Sequence, residues 1–170
     1  EETATSNSMK ISKNFSLGEC LKSDTGQRLG LKNEISQEGL IALTALVTHC
    51  MQPLRDHFNR SVRVNSAWRS PAISEAVGSS SKSQHCRGEA MDWEIVGLDN
   101  KELAQEVPKI IPVFDQMILE MYDETEPNPE IRKETGWIHL SFNRLGENRK
   151  QILRAYRKKG KIVYEPWDLT

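Results

Sequence analysis

The sequence predicts an α+β fold: a small antiparallel sheet of about four strands flanked by helices, with polar side chains gathered on one sheet face. Three observations lead there. Leu40, Leu43, Val47, Met51, Leu54 and Phe58 recur every three or four positions, the period of a helix buried along one side. Three later runs, 90–95, 114–121 and 137–142, alternate apolar and polar residues in the manner of half-buried strands. A chain of 170 residues, 37% hydrophobic and 28% charged, has the size and composition of one globular domain.

Residues 1–14 are polar and read as a flexible lead, followed by a domain over 15–143 and a basic C-terminal extension over 144–170 that packs on or trails it. The stretch from Asn14 to Gly30 reads as a surface wrap with short helical turns, and Ser23-Asp24-Thr25-Gly26 is turn chemistry. Ser36 is the expected N-cap of the long helix, with Glu38 in its first turn, and Pro53 should kink or restart it. Arg63-Val64-Asn65-Ser66, preceded by Val62, reads as a short strand. Ser70 then caps a helix that has Pro71 at its first position and ends at Gly78. The small polar residues up to Ser83 form a loop.

In the run 90–95, Met91, Trp93 and Ile95 face one way and Ala90, Asp92 and Glu94 the other. Asn100 is expected to cap a helix over 101–107 that Pro108 closes. Phe114, Gln116, Ile118 and Glu120 share one face of the next strand, and 122–135 is an acidic, proline-bearing loop, a candidate lid. In the last strand Ile138, Leu140 and Phe142 oppose Trp137, His139 and Ser141. From Arg144 to Lys161 there are eight basic residues and one acidic, with a helix expected over 149–157.

A formal net charge of -1 gives no global drive toward nucleic acid or membrane. The basic tail lacks a recognised reading motif for nucleic acid. No apolar run approaches the roughly 20 residues that span a bilayer, and no signal peptide is visible, so membrane insertion is not expected. A monomer is expected. Cys20, Cys50 and Cys86 match no zinc-ribbon spacing and read as reduced thiols, although Cys86 sits beside His85.

Two strands each set a polar residue opposite an apolar stripe, Asp92 and His139, and a third ends in Glu120. His85 precedes Asp92 by seven positions, in Ser83-Gln84-His85-Cys86-Arg87-Gly88-Glu89-Ala90-Met91-Asp92. One histidine is usually a structural residue. Two histidines with a carboxylate form a three-ligand zinc set that leaves the fourth position to water, although iron or copper also accept such donors. A further carboxylate must then move the water's proton to a leaving amine. Glu120 is the candidate and Glu134 the fallback. Arg69 would bind a peptide carboxylate or the oxyanion, or serve as an exposed salt-bridging arginine. Ser83 either contacts substrate or caps its loop.

Ser83-x-His85-x6-Asp92, followed by Trp137-x-His139-x-Ser141, resembles the zinc D-Ala-D-Ala carboxypeptidases and their peptidoglycan endopeptidase relatives, whose metal-binding fold hedgehog domains share. Asn65-Ser66-Ala67-Trp68-Arg69-Ser70-Pro71 is similar to the stretch preceding their first ligand. The resemblance implies one Zn2+ per chain on His85, Asp92 and His139, with Arg69, Ser83 and Trp137 at the substrate. It implies cleavage of amide bonds in peptidoglycan stem peptides. Many relatives place the catalytic carboxylate three residues before the last histidine, where this chain has Gly136; the branch with its base at the end of the preceding strand favours Glu120. The alternative is a zinc-stabilised, catalytically weak binding domain or phage structural component of the same fold. The expected setting is a phage-encoded or cytoplasmic protein acting on the cell wall or its precursors.

Overall fold

A computed structural model describes residues 8–170; residues 1–7, half of the expected lead, lie outside the described residues. The remainder of that stretch is structured: β1 (Lys10–Ser12) pairs antiparallel with β2 (Phe15–Ser16). Ser16 then caps the helix Leu17–Leu21 through a reciprocal box with Glu19, and Ser23 caps Asp24–Leu29.

Ser36 accepts a hydrogen bond from the Gly39 N–H and starts the helix Gln37–Leu46. Pro53 acts as its chemistry dictates. It has no N–H to offer the carbonyl four residues back, and its ring crowds that carbonyl. The chain answers with a wider π turn over Val47–Met51, in which the Gln52 N–H reaches the Val47 carbonyl, before Gln52–Phe58 resumes as α-helix. Ser70 and Pro71 open the helix Pro71–Ala76, with Gly78 beyond its end at φ 80°.

The main sheet is larger than expected and mixed. Its six strands are β3 (Arg63–Ser66), β4 (Ala90–Glu94), β5 (Gln116–Glu120), β6 (Trp137–Ser141), β7 (Gln151–Lys158) and β8 (Lys161–Pro166). They lie in the order β3-β4-β6-β5-β7-β8. All neighbours are antiparallel except β5 and β7, which run parallel. The expected small antiparallel sheet corresponds to β3–β6; the other two strands come from the C-terminal segment.

That segment also corrects the expected helix over 149–157, which is strand β7. The reason is the two-residue connection that follows: Lys159 and Gly160 both take positive φ, 51° and 76°, between the paired residues Lys158 and Lys161. Such a turn closes a hairpin, and Ile162, Val163 and Tyr164 after it are strand formers.

A second correction concerns the helix Asn100–Ile110, which Asp99 caps, not Asn100, and which runs through Pro108. Pro108 sits in the last turn, so only one helical bond is forgone. Asn100 is buried and donates to Glu94 Oε1 at 3.0 Å and to the carbonyls of Thr135 and Gly136 at 3.1 Å.

The core lies between one sheet face and the helices. Met91, Trp93, Met117, Leu119, Ile138 and Leu140 are fully buried from the sheet. They meet Leu43, Leu46, Met51 and Leu54 of the long helical segment and Leu103 and Val107 of the next helix. Each such side chain contributes about 1.5–3 kcal/mol. Phe114, expected on the polar face, precedes β5 and is buried in this core. His49 stacks on Phe142, a packing role. The three cysteines are free thiols, and burial pushes Cys20 and Cys50 up to about 12. No helix among the described residues is long and apolar enough to cross a membrane.

Candidate metal centre and active-site cleft

With the apolar side chains committed to the core, strand alternation leaves one row of polar residues on the opposite face. Asp92 is paired with His139 across β4 and β6, and His139 with Ile118 across β6 and β5. Glu120 is paired with Trp137 one step along. His85 comes from outside the sheet, on a tight 3-10 turn over Gln84–Arg87. Ser83 Oγ accepts the His85 N–H at 3.2 Å and caps this turn. Gly88 ends it at φ 73°, where a Cβ would lie 2.2 Å from the Gly39 carbonyl oxygen. Only glycine lets the turn sit this close to the long helix.

His85, Asp92 and His139 each offer a donor atom within 4.8 Å of the others. His85 Nε2 lies 3.4 Å from Asp92 Oδ2, and His139 Nδ1 lies 3.0 Å from Asp92 Oδ1. Donors around a tetrahedral ion with bonds of about 2.1 Å are themselves roughly 3.4 Å apart. The donor set therefore fits a metal in chemistry and in spacing. His85 Nδ1 is 2.7 Å from the Ala67 carbonyl. Donation to that oxygen orients the ring with Nε2 facing Asp92. Burial works to raise the Asp92 pKa, but the charge of His85 and hydrogen bonds from both imidazoles outweigh it and hold the carboxyl well below the usual range.

The cluster opens into a cleft of about 780 Å³ that Arg69, Ser83, Glu120, Trp137 and Gln151 also line. Glu120 has the opposite electrostatics to Asp92. Burial, reinforced by the negative charge of Asp92, raises it to about 7. Desolvated and set beside the donor cluster, it is poised to hold or release a proton near neutral pH. Arg69 faces the same cleft with its Nε buried and unpartnered, and the Trp137 indole N–H is turned toward the Glu120 carboxyl, whose pKa it works to lower. Cys86 is outside the donor cluster, its Sγ 3.9 Å from the Ser80 carbonyl. Glu134 follows the short helix Pro129–Arg132 and is not among the cleft-lining residues. None of 122–135, the candidate lid, lines the cleft.

Gly136 occupies the position three before His139, and its geometry explains why no carboxylate stands there. It has φ 69°, and a Cβ would meet the Glu120 carbonyl oxygen at 2.1 Å. The backbone at the end of β5 fills the space a side chain at 136 would need.

Several contributors were not singled out in the sequence. Asn33 donates to the carbonyls of Leu21 and Trp68 at 2.8 and 3.0 Å and accepts the Ser70 N–H at 2.8 Å, pinning the turn that carries Arg69. The Arg69 N–H in turn donates to the His85 carbonyl at 3.2 Å. Buried Asp115 accepts from Gln84 at 3.0 Å and from Arg149 Nε and a terminal nitrogen at 2.9 and 2.8 Å, tying the His85 turn to the start of β7. Leu153, Arg157 and Tyr164 bring β7 and β8 into the cleft wall. An isolated Asn or Asp carries no periodic signal. The hairpin did carry one, in Lys159-Gly160 followed by Ile162-Val163-Tyr164.

A search of curated proteins finds no match to the chain. The model of the family described as Peptidase M15 matches residues 13–124. The matched segment includes Arg69, Ser83, His85, Asp92 and Glu120, and ends before Trp137, His139 and the β7–β8 hairpin. It covers well over half of the sequence, and the chain belongs to the M15 peptidase family.

Proposed function

We propose that this protein is a zinc peptidase that hydrolyses amide bonds in peptidoglycan stem peptides, as a D-Ala-D-Ala carboxypeptidase or a related endopeptidase. The observation that carries the reading is the convergence of His85, Asp92 and His139 at one end of a cleft that Glu120 also lines. Residues 15–143 form the catalytic unit in this reading, with 144–170 packed on it as the last two strands of the sheet.

His85, Asp92 and His139 hold one Zn2+. When bound, the ion supplies a Lewis acid that polarises the scissile carbonyl and acidifies water. The chain's own residues do the rest. Glu120 accepts the proton of the attacking water on its carboxylate and returns it to the leaving amine nitrogen. Arg69 brings a fixed cation to the same space, where it binds the substrate's carboxylate or the developing oxyanion. Ser83 keeps the His85 turn in shape, and the Trp137 indole borders the substrate space beside Glu120.

Elemental analysis and a stem-peptide hydrolysis assay test this together. The expected result is one zinc per chain in the wild type and none in His85→Ala. Glu120→Gln keeps the zinc and loses about 10²–10⁴-fold in kcat. Failure of the wild type to take up zinc would remove the enzyme reading. Zinc uptake without hydrolysis of any stem peptide would favour a binding domain of the same fold, and full activity in Glu120→Gln would move the base elsewhere.

A further inference from the structure

The cleft does not end at the donor cluster. Following the strand register away from it, Glu120 on β5 is paired with Ala155 on β7, and Ala155 with Tyr164 on β8. Ile118, Leu153 and Ala155 are buried together as a small apolar floor, separate from the main core. Two residues past Ala155, on the same face, stands Arg157, paired with Ile162. Arg157, Ile162 and Tyr164 all line the cleft.

Arg157 differs from the other arginines of this segment. Arg144 is paired with Glu38, Arg149 with Asp115, and Arg154 with Glu124. Among the described residues Arg157 has no ion pair and no side-chain hydrogen bond. It stands at the root of a hairpin tip that adds the positive charges of Lys158, Lys159 and Lys161. Strands lie about 4.8 Å apart and alternate residues about 6.7 Å apart, which sets the Arg157 Cα roughly 8 Å from that of Glu120. An extended peptide covers about 3.5 Å per residue. An anion held by Arg157 is then about two to three residues from an amide held beside Glu120.

We propose that Arg157, with the Tyr164 ring and the Ile118–Leu153–Ala155 floor beside it, forms a carboxylate-binding subsite that selects peptides bearing an acidic group two to three residues from the scissile amide. The inference rests on the peptidase reading for its substrate class. The guanidinium presents a planar fork of donors matched to a carboxylate, and the apolar floor takes the carbon chain that carries it. The acidic group is either a side-chain carboxylate or a terminal one, and both have the same chemistry at Arg157.

Two pairs of synthetic peptides separate these sources. One pair differs only in a side-chain carboxylate against its carboxamide, the other only in a C-terminal carboxylate against its amide. Zinc-loaded wild type is expected to show kcat/KM at least about tenfold higher for the free acid of one pair, as a charge-assisted hydrogen bond implies. Arg157→Ala should bring that ratio near one by slowing the acid alone, and Arg157→Lys should restore part of it. Lys158→Gln/Lys159→Gln, which lowers the surrounding field without touching the fork, should lower the ratio far less than Arg157→Ala does, and an equal loss would overturn the fork as the selecting group. Whichever pair responds identifies the source. An unchanged ratio in Arg157→Ala, or no discrimination in the wild type, overturns the subsite.

Should the wild type cleave neither pair, titration calorimetry with the same peptides separates the two ideas. Free-acid binding at least tenfold tighter, lost in Arg157→Ala, would retain the carboxylate site while removing the peptidase reading. Equal binding of acid and amide would remove the subsite.

Discussion

At one end of the cleft each chemically important group is held by another. His85 leans on the Ala67 carbonyl, Asp92 lies between two imidazoles, and Asn33 clamps the turn bearing Arg69. At the other end, Ile162 and Tyr164 are 45% and 55% exposed, and Arg157 has no ion pair among the described residues. The first region is built of buried groups fixed in advance, the second of exposed side chains on a two-stranded edge. The difference follows from what each must do. Groups that meet developing charge act best when already oriented, so that no reorganisation is needed at the moment of reaction. A surface that sorts substrates by one distant contact needs a rigid backbone beneath it but tolerates loose side chains. The parallel pairing of β7 with β5 supplies that backbone.

Two glycines, one in each region, offer the sharpest way to break this comparison. Both have positive φ, 69° at Gly136 and 76° at Gly160. A Cβ at 136 would collide with the Glu120 carbonyl oxygen, whereas one at 160 would meet nothing within 4 Å. Gly136→Ala is expected to cost about 3 kcal/mol or more, from strain and overpacking together, and to displace Glu120, lowering kcat. Gly160→Ala should cost only the left-handed penalty of about 1–2 kcal/mol and leave kcat unchanged. Thermal unfolding and steady-state kinetics on the two variants give the answer. Equal losses would mean that the two ends are not built differently after all.

Asp115 joins the two regions, and its charge should matter at an intermediate level. The Arg149 side chain hydrogen-bonds to it, and although burial opposes this, the bonds from Arg149 and Gln84 hold its pKa below the usual carboxylate range. A depressed pKa stabilises the fold above the unfolded value near 4, and that stability is lost as pH falls through the folded value. Asp115→Asn should therefore cost about 1.5–3 kcal/mol at pH 7. Denaturant melts should show the gap to wild type narrowing below about pH 4. A gap independent of pH would mean that packing, not charge, makes the link.

How far the sequence could be read follows the same division. The convergence of His85, Asp92 and His139 was legible because each of its signals is local. Met91-Asp92-Trp93 and Ile138-His139-Leu140 alternate in strand fashion, so their polar members had to share a face, and Ser83 and Gly88 frame a tight turn around His85. Glu120 was reachable by the same alternation. Asn33 and Asp115 were not, because their partners lie 35 and 34 positions away at Trp68 and Arg149 and follow no period. β7 reads as helix in the sequence because basic residues on both of its faces interrupt the strand pattern. Arg154, Tyr156 and Lys158 alternate with Leu153, Ala155 and Arg157, and Arg157 cuts the apolar row to two residues. Lys159-Gly160 was the better signal. The same misreading hid the parallel β5–β7 pairing, which no local pattern announces.

The smallest effect should appear at Glu120 itself, in the metal-free protein. Burial and the neighbouring Asp92 charge raise this carboxyl to about 7, so its ionised form is disfavoured in the folded state. The sign is opposite to that at Asp115. A raised carboxyl pKa removes stability as pH rises from the unfolded value near 4.5 through about 7. Glu120→Gln keeps the shape and abolishes the charge. The metal-free variant should then be more stable than wild type at pH 8 by on the order of 1 kcal/mol, since the group is only partly buried. The advantage should vanish below pH 4.5, where both side chains are neutral. Chemical denaturation of the chelator-treated proteins at the two pH values measures it. A wild type that is the more stable at pH 8 would mean that Glu120 is held by a stabilising partner, in the manner of Asp115, and is not free for a reacting proton. A variant that gains stability while losing turnover would place Glu120 among groups whose strain belongs to the chemistry.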